Sequence, residues 1–272
     1  MTLIDEQMLG TADEDEIGYA AYTFLRSTNE ATETTIHGRT SPAKKCGLVK
    51  SSFRPSDDAC LLPFNIPGNA MLSVVLNRTA LMLNEVSLGE DLAEECKLKS
   101  ESIKKAIYKH GIVKTVHNEK MFAYEIDGYG SSYLMDDANI PSLLSLPFIG
   151  FIDQNDPIYQ TTRKYLLSEN NPYYYTGKAG HGVGGPHNGD GWVWPMAIIV
   201  EALTTDNDDE IMDCLRRLLS TTAGTNFMHE SFWRDNAENY TRSWFAWANT
   251  LFGELIINLK KNKPQILTKF QF

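Results

Sequence analysis

The chain has 272 residues, 42% hydrophobic and 11% aromatic, enough for one large domain or two small ones around a sizeable core. Its formal net charge of −10 leaves no broad basic patch, which excludes a general nucleic-acid or anionic-membrane binder. The four cysteines, Cys46, Cys60, Cys96 and Cys214, are too scattered for a zinc knuckle or a redox CxxC and read as buried thiols. Residues 1–9 lack the basic and apolar regions of a signal peptide, and no apolar run reaches the length of a membrane span. The chain as given therefore reads as cytoplasmic, with secretion the alternative if a longer N-terminus carried a signal. Oligomeric state is not legible.

Acidic residues from Asp13 to Glu16, followed by apolar positions, predict a capped helix over residues 11–27. Residues 28–50 are polar and read as a long surface connection. The segment Ser52–Cys60 then packs Arg54, Asp57 and Asp58 into five residues, with Pro55 stiffening the backbone. Adjacent carboxylates repel, so a buried pair splits its pKa values or recruits a cation such as Arg54. That is one way to hold a carboxylic acid protonated for general acid work. The plainer reading, favoured on this segment alone, is a helix N-cap at Ser56 or Asp57 with a structural Arg–Asp pair.

Residues 69–85 are apolar nearly all round and predict a buried helix. Residues 89–110 predict an amphipathic helix with Leu92, Cys96, Ile103 and Ile107 inward, stopped by Gly111, and the two helices form a hairpin. Residues 112–117 and 121–127 alternate and predict a small surface β-hairpin. A glycine-rich turn leads to a second acidic pair, Asp136-Asp137, and then to an apolar helix over 141–150. Asp156-Pro157 caps a helix over 158–168, and residues 169–192 read as a long, ordered, functional loop. Further helices are expected from Trp194 to about Thr204 and, capped by residues 206–208, on to Ala223, where Gly224 stops the helix. After the polar-aromatic loop Phe227–Phe232 a last helix is expected over 240–261, burying Trp244, Phe245, Trp247, Leu251, Phe252, Leu255 and Ile256. Paired helices alternating with polar-aromatic loops are the pattern of stacked helical hairpins with their loops gathered at one end.

These loops supply Arg54, Asp57, Asp58, Asp136, Asp137, His181, His187, Asn188, Trp192, Trp194, His229, Glu230 and Trp233. Carboxylates, planar polar groups and aromatic rings together suit a sugar, whose apolar face stacks on a ring while its hydroxyls are hydrogen-bonded. Each residue taken alone has a structural reading: tryptophans are more often core, and histidines more often hydrogen-bonded supports. Gly182-Val183-Gly184-Gly185 lacks the strand and the Lys-Ser/Thr of a phosphate loop, and no HExxH-like spacing supports a hydrolytic metal site. Two carboxyl groups far apart in sequence, each in a polar-aromatic loop, suggest glycoside hydrolysis. The Asp57-Asp58 neighbourhood offers the protonated member, and Glu230 beside His229 the ionised one.

Four blocks then carry a specific resemblance: residues 52–64 (SFRPSDDACLLPF), 125–150 (EIDGYGSSYLMDDANIPSLLSLPFIG), 185–204 (GPHNGDGWVWPMAIIVEALT) and 228–254 (MHESFWRDNAENYTRSWFAWANTLFGE). In this order, and covering nearly all of residues 45–260, they resemble glycoside hydrolase family 125. The resemblance implies an all-α fold, an (α/α)6-barrel-type toroid of helical hairpins, forming a single catalytic domain over residues 1–272. It implies a metal-independent, cofactor-free, inverting exo-α-mannosidase that favours α-1,6-linked mannose, acting on a mannose-containing oligosaccharide or N-glycan. It implies Asp57 as general acid and Glu230 as general base, standing roughly 6.5–9.5 Å apart as an inverting pair does. Arg54, Asp58, Asp136, Asp137, His187, Trp192 and His229 would hold the sugar. The family's longer N-terminal region is not recognisable before residue 45, and about eight helices are counted against the twelve of a full barrel. The chain is accordingly expected to be incomplete at its N-terminus, with a catalytically inactive mannoside-binding paralogue as the alternative.

Overall fold

The computed structural model describes residues 1–20, 22–25, 27–28, 34–35 and 38–269. The described chain is mainly helical with four small sheets, and it divides into two units. The first comprises residues 1–135 and 141–162, the second residues 136–140 and 163–272. No helix among the described residues is long and apolar enough to cross a membrane.

The first unit opens with two short helices, α1 (Thr2–Gln7) and α2 (Thr11–Ile17). The expected helix over 11–27 is shorter than its pattern suggested: Gly18 takes the left-handed conformation (φ 67°) and closes it. Positions 21 and 26 of that expectation lie outside the described residues, as do positions 29–33, 36 and 37 of the expected surface connection. The end of that connection is not surface. Ala43 and Leu48 are fully buried, and the Thr11 amide and hydroxyl exchange hydrogen bonds with Ala43. Lys50 pairs with the buried Glu14.

Strand β1 (Phe64–Asn65) runs directly into α3 (Ile66–Glu85). The helix starts three residues earlier than expected because the Asn65 side chain caps it, accepting from the Gly68 amide at 2.8 Å, and Pro67 sits in the first turn where no amide is needed. Its partner in the hairpin is α4 (Glu90–His110), whose Ser100 hydroxyl donates to the Ser73 carbonyl at 2.6 Å. Cys96, Ile103 and Ile107 point inward as expected, but Leu92 is 45% exposed. Nor is α3 buried all round: Ile66, Ala70, Ser73, Leu76 and Ala80 face inward, while Met71, Val75 and Met82 stand exposed on the opposite stripe. Composition fixes how apolar a helix is, not how many of its faces find a partner.

The expected surface hairpin divides. Strand β2 (Ile112–Lys114) pairs with β3 (Lys120–Phe122), and Met121 and Phe122 are fully buried. Beyond Ala123, β4 (Glu125–Ile126) belongs to a different sheet, between β1 and β5 (Ser132–Tyr133), with Phe64 opposite Ile126 and Glu125 opposite Tyr133. The apolar stretch 141–150 yields only α5 (Leu146–Ile149), because Ser142 and Ser145 bond each other's backbone and make a turn first. Asp156 caps α6 (Pro157–Leu166), in which the chain passes into the second unit.

In the second unit the expected loop 169–192 contains a hairpin of β6 (Tyr174–Thr176) and β7 (His181–Val183). Strand β8 (Trp192–Val193) leads into α7 (Pro195–Leu203), which is buried on almost every side. Helix α8 (Asp208–Ser220) is capped by Asn207 and buries Ile211, Cys214, Leu215 and Leu218 as expected, but it ends before Ala223. The buried Arg217 joins α8 to α7 through both oxygens of Glu201, at 2.7 and 3.1 Å. Strands β9 (Ser231–Trp233) and β10 (Asn236–Thr241) form a hairpin, and β9 also pairs with β8. The last long helix, α9 (Ala246–Asn262), therefore begins six residues later than expected, since Tyr240 and Thr241 belong to β10. Leu251 and Leu255 are buried, Trp244 is 55% exposed, and a short α10 (Pro264–Lys269) follows.

Candidate active site

The sequence-derived site residues fall into two groups, one in each unit. In the first, Ser52–Cys60 is neither a helix start nor a buried acidic pair. Phe53 bridges to Ala59, the Arg54 amide donates to the Asp58 carbonyl at 2.8 Å, and the Asp57 amide to the Arg54 carbonyl at 3.1 Å. The result is a tight turn with Asp57 at its tip in the left-handed region (φ 71°), its side chain exposed. A carboxylate is among the few non-glycine side chains that tolerate this conformation. Asp58 points the other way and is 1% exposed, accepting from the Ser56 hydroxyl at 3.1 Å.

Arg54 is not the counter-ion expected for the acidic pair. Its Nε donates to Glu125 Oε1 at 2.6 Å, both side chains being buried. The other Glu125 oxygen accepts from the Leu61 and Leu62 amides, at 2.9 and 3.0 Å. The guanidinium lies over the Tyr124 and Tyr133 rings, and its Nη2 is buried without a hydrogen-bond partner. Burial alone would lower the Arg54 pKa; the hydrogen bond and charge of Glu125 outweigh it and raise it above its ordinary value. The same burial, with Glu125 adding to it, holds Cys60 well above an ordinary thiol. One fully buried carboxylate on β4 thus anchors both sides of the Asp57 turn. Sequence reasoning passed over Glu125 although it heads the second block of the resemblance.

The second group gathers around the sheet β8–β9–β10. Trp192 lies opposite Trp233 across β8 and β9, their rings edge to face at 5.7 Å. Gly191 makes that contact possible: it has φ 86°, and a Cβ there would meet the Trp233 ring at 2.4 Å. Trp194 is buried, packs against His187 and Phe245, and its indole nitrogen has no hydrogen-bond partner. Asp136 and Asp137 are both buried; Asp137 Oδ1 accepts from the Asn139 amide and side chain at 3.0 Å each. Gly185 lies beside Asp137, and a Cβ there would stand in ordinary contact with the carboxyl group, at 3.4 Å. His181 lies apart from these contacts, near Asp213 of α8, and burial followed by the Arg217 charge lowers its pKa.

Glu230 immediately precedes β9 and is 5% exposed. Its Oε1 is ion-paired with Arg242 Nε at 3.1 Å. The His229 ring stacks flat on Tyr240, 3.9 Å between centroids, and its Nδ1 hydrogen-bonds the Ser243 carbonyl at 3.0 Å. That bond fixes the proton on Nδ1, so Nε2, buried and unpartnered, offers a lone pair in the neutral ring. Arg242, Tyr240 and Phe245 were missed as site residues because residues 240–245 were read as helix. Among the described residues no three His, Cys, Asp or Glu side chains are grouped to hold a metal ion.

A family profile described as "Metal-independent alpha-mannosidase (GH125)" matches residues 1–257, starting well ahead of residue 45, where the resemblance read from the blocks began. The chain is 51% identical over 251 residues to the Schizosaccharomyces pombe meiotically up-regulated gene 157 protein, covering 91% of this chain and 49% of that one. It thus spans about half the length of this curated relative. A solved Streptococcus pneumoniae structure from a study of metal-independent α-mannosidases, a non-productive substrate complex with α-1,6-mannobiose, matches with a TM-score of 0.89 and 32% identity. That match covers 96% of this chain and 61% of the other.

Proposed function

The chain belongs to the metal-independent α-mannosidase family GH125, and from that premise we propose that it removes terminal α-1,6-linked mannose as an exo-acting, inverting hydrolase. The observation that carries this reading is the likeness, along 96% of the chain, to a structure holding α-1,6-mannobiose. The same reading assigns the helical hairpins to an (α/α)6-barrel architecture and takes a mannose-containing oligosaccharide or N-glycan as substrate.

Asp57 is the general acid: it donates its proton to the glycosidic oxygen as the bond from that oxygen to the anomeric carbon breaks. Glu230 is the general base: it takes a proton from the water whose oxygen bonds to the anomeric carbon from the opposite face. The products are β-mannose and the shortened alcohol. Two features support the assignment. Asp57 is exposed at the tip of a turn pinned by a buried ion pair, and Glu230 is a buried carboxylate whose Oε1 is ion-paired with Arg242. The unpartnered Arg54 Nη2, Trp194 Nε1 and His229 Nε2 supply donors and an acceptor for sugar hydroxyls. Asp58, Asp136, Asp137, His187 and Trp192 complete the sugar-holding set.

The test is a proton NMR time course with α-1,6-mannobiose. Early β-mannose supports turnover and inversion together, and early α-mannose refutes inversion. No release from a folded sample that still binds mannobiose by calorimetry replaces this reading with mannoside binding without turnover.

A further inference from the structure

The pairing of Glu230 rests on a backbone conformation that its partner should avoid. Arg242 has φ 46°, in the left-handed region, where a long side chain is strained and glycine or asparagine is the usual choice. The strain is held from both sides. Before it, Thr241 lies opposite Ser231 in the β9–β10 ladder, and their hydroxyls are bonded at 2.7 Å. After it, the Ser243 carbonyl takes the bond from His229 Nδ1, and the Phe245 amide donates to the Met228 carbonyl at 3.2 Å. Asn249 of α9 closes the clamp, accepting from the Met228 amide and donating to its carbonyl at 3.1 and 2.7 Å. Residues 228–231 and 241–249 are thereby locked together, and the kinked turn aims a guanidinium at Glu230 Oε1.

The two partners differ in exposure. The Glu230 side chain is 7% exposed and Arg242 64%, with the guanidinium resting over the Phe245 ring. The β9–β10 ladder alone does not require a strained arginine at this open position, since a glycine would satisfy the same backbone. Strain that persists because its surroundings over-determine it is characteristic of functional sites.

We propose that Arg242 is a positioning residue for the hydrolysis. By engaging Oε1 it fixes the Glu230 carboxylate and leaves Oε2 to take the proton from the attacking water. This rests on the reading of Glu230 as general base. Arg242 contributes no bond to the substrate and exchanges no proton; it holds the acceptor where the water must be deprotonated, so its removal lowers kcat rather than weakening substrate binding.

The experiment compares wild type, R242G, R242K and E230Q on α-1,6-mannobiose, each checked for folding by circular dichroism. R242G suits the purpose because glycine adopts the positive φ without strain and leaves space for a guanidinium ion. The expected result is a loss of about 100-fold in kcat with KM within about threefold, as for removal of one preorganised charge. Added guanidinium ion, or lysine in R242K, should restore part of that kcat. Wild-type turnover in R242G, a rise in KM alone, or a kcat loss restored by neither guanidinium nor lysine overturns the proposal. If E230Q turns over like wild type, or wild type does not turn over at all, the reading of Glu230 itself fails and the role of Arg242 falls with it. A dead E230Q beside an unaffected R242G overturns the role of Arg242 alone.

Discussion

Replacing Glu125 with glutamine tests whether one buried carboxylate organises the Asp57 turn. The carboxylate is fully buried and accepts three hydrogen bonds, from Arg54 Nε and from the Leu61 and Leu62 amides. Glutamine keeps the shape but removes the charge, and its amide group must face donors on at least one side. Arg54 is then a buried cation without its counter-ion, a defect that costs about 3–5 kcal/mol. The backbone amides add to this, since an unmatched buried donor costs about 1–3 kcal/mol. A loss of about 4 kcal/mol is a large part of the 5–15 kcal/mol that stabilises a domain. With a urea m-value of about 2–3 kcal/mol/M it moves the midpoint down by about 1.3–2 M. The assay is urea denaturation of wild type, E125Q, R54M and the double variant R54M/E125L. The double variant should be less destabilised than the sum of its parts, because replacing both charges removes the uncompensated one. A midpoint shift below about 0.4 M for E125Q, or additive effects in the cycle, would refute the reasoning.

At the turn tip, D57N and D57G should both fold, since asparagine and glycine tolerate φ 71°, and both should lose mannosidase activity by more than about 1,000-fold; activity within tenfold of wild type sinks Asp57 as the acid. G191A should destabilise by more than about 2 kcal/mol, because the new methyl must displace the Trp233 ring and adopt a positive φ, and it should broaden or shift the Trp233 fluorescence contribution. Asp127 accepts from the amides of Tyr129, Gly130 and Ser131 at 2.8–3.1 Å; burial pushes its pKa up, but these bonds and the Ser131 side chain outweigh it and hold it below the usual carboxylate value. Its contribution is therefore present above the unfolded pKa of about 3.9 and is lost as pH falls through the lower folded value. D127A should flatten the stability–pH curve in that acid window, and an unchanged slope there would contradict the assignment. On α3, L76A should cost about 2–5 kcal/mol while M82K on the exposed stripe stays within about 0.5 kcal/mol, read from thermal midpoints.

What the sequence made legible was local. The limits of α4, the Asn207 cap, the inward face of α8 and the Asp156 cap follow from rules that act within one helical turn. What stayed hidden depends on partners distant in sequence. The pairing of Trp192 with Trp233 joins residues with no shared local pattern, so 169–192 and 227–232 read as loops instead of parts of a sheet and its neighbours. Residues 240–245 continue an apolar rhythm into α9, and only the ladder to β9 reveals that they are strand and turn. Likewise Arg54 is close in sequence to Asp57 and Asp58, but its hydrogen bond goes to Glu125 on another strand. The acidic and aromatic composition of the site was visible; the scaffolding residues Glu125, Tyr240 and Arg242 were not.

Backbone strain sets two residues, one in each unit, apart from ordinary turns. Among the described residues six non-glycine positions have positive φ: Asp57, Ser87, Asn118, Ala223, Asn226 and Arg242. Ser87 follows α3, Asn118 turns the β2–β3 hairpin, and Ala223 and Asn226 follow α8, where a left-handed residue simply reverses the chain. Asp57 and Arg242 differ from these in what fastens them. The Asp57 turn is closed by the Phe53–Ala59 bridge and carried on a buried ion pair, and Arg242 is clamped on both flanks by Thr241 and Ser243. Each is thus held in a conformation costing about 1 kcal/mol or more by contacts that do not involve its own side-chain terminus. In one case the strained residue presents an exposed carboxyl group, in the other a guanidinium on a buried carboxylate. Glycine would satisfy the backbone at both positions, so an ionisable side chain at each is an argument for chemistry that the residue types by themselves do not make.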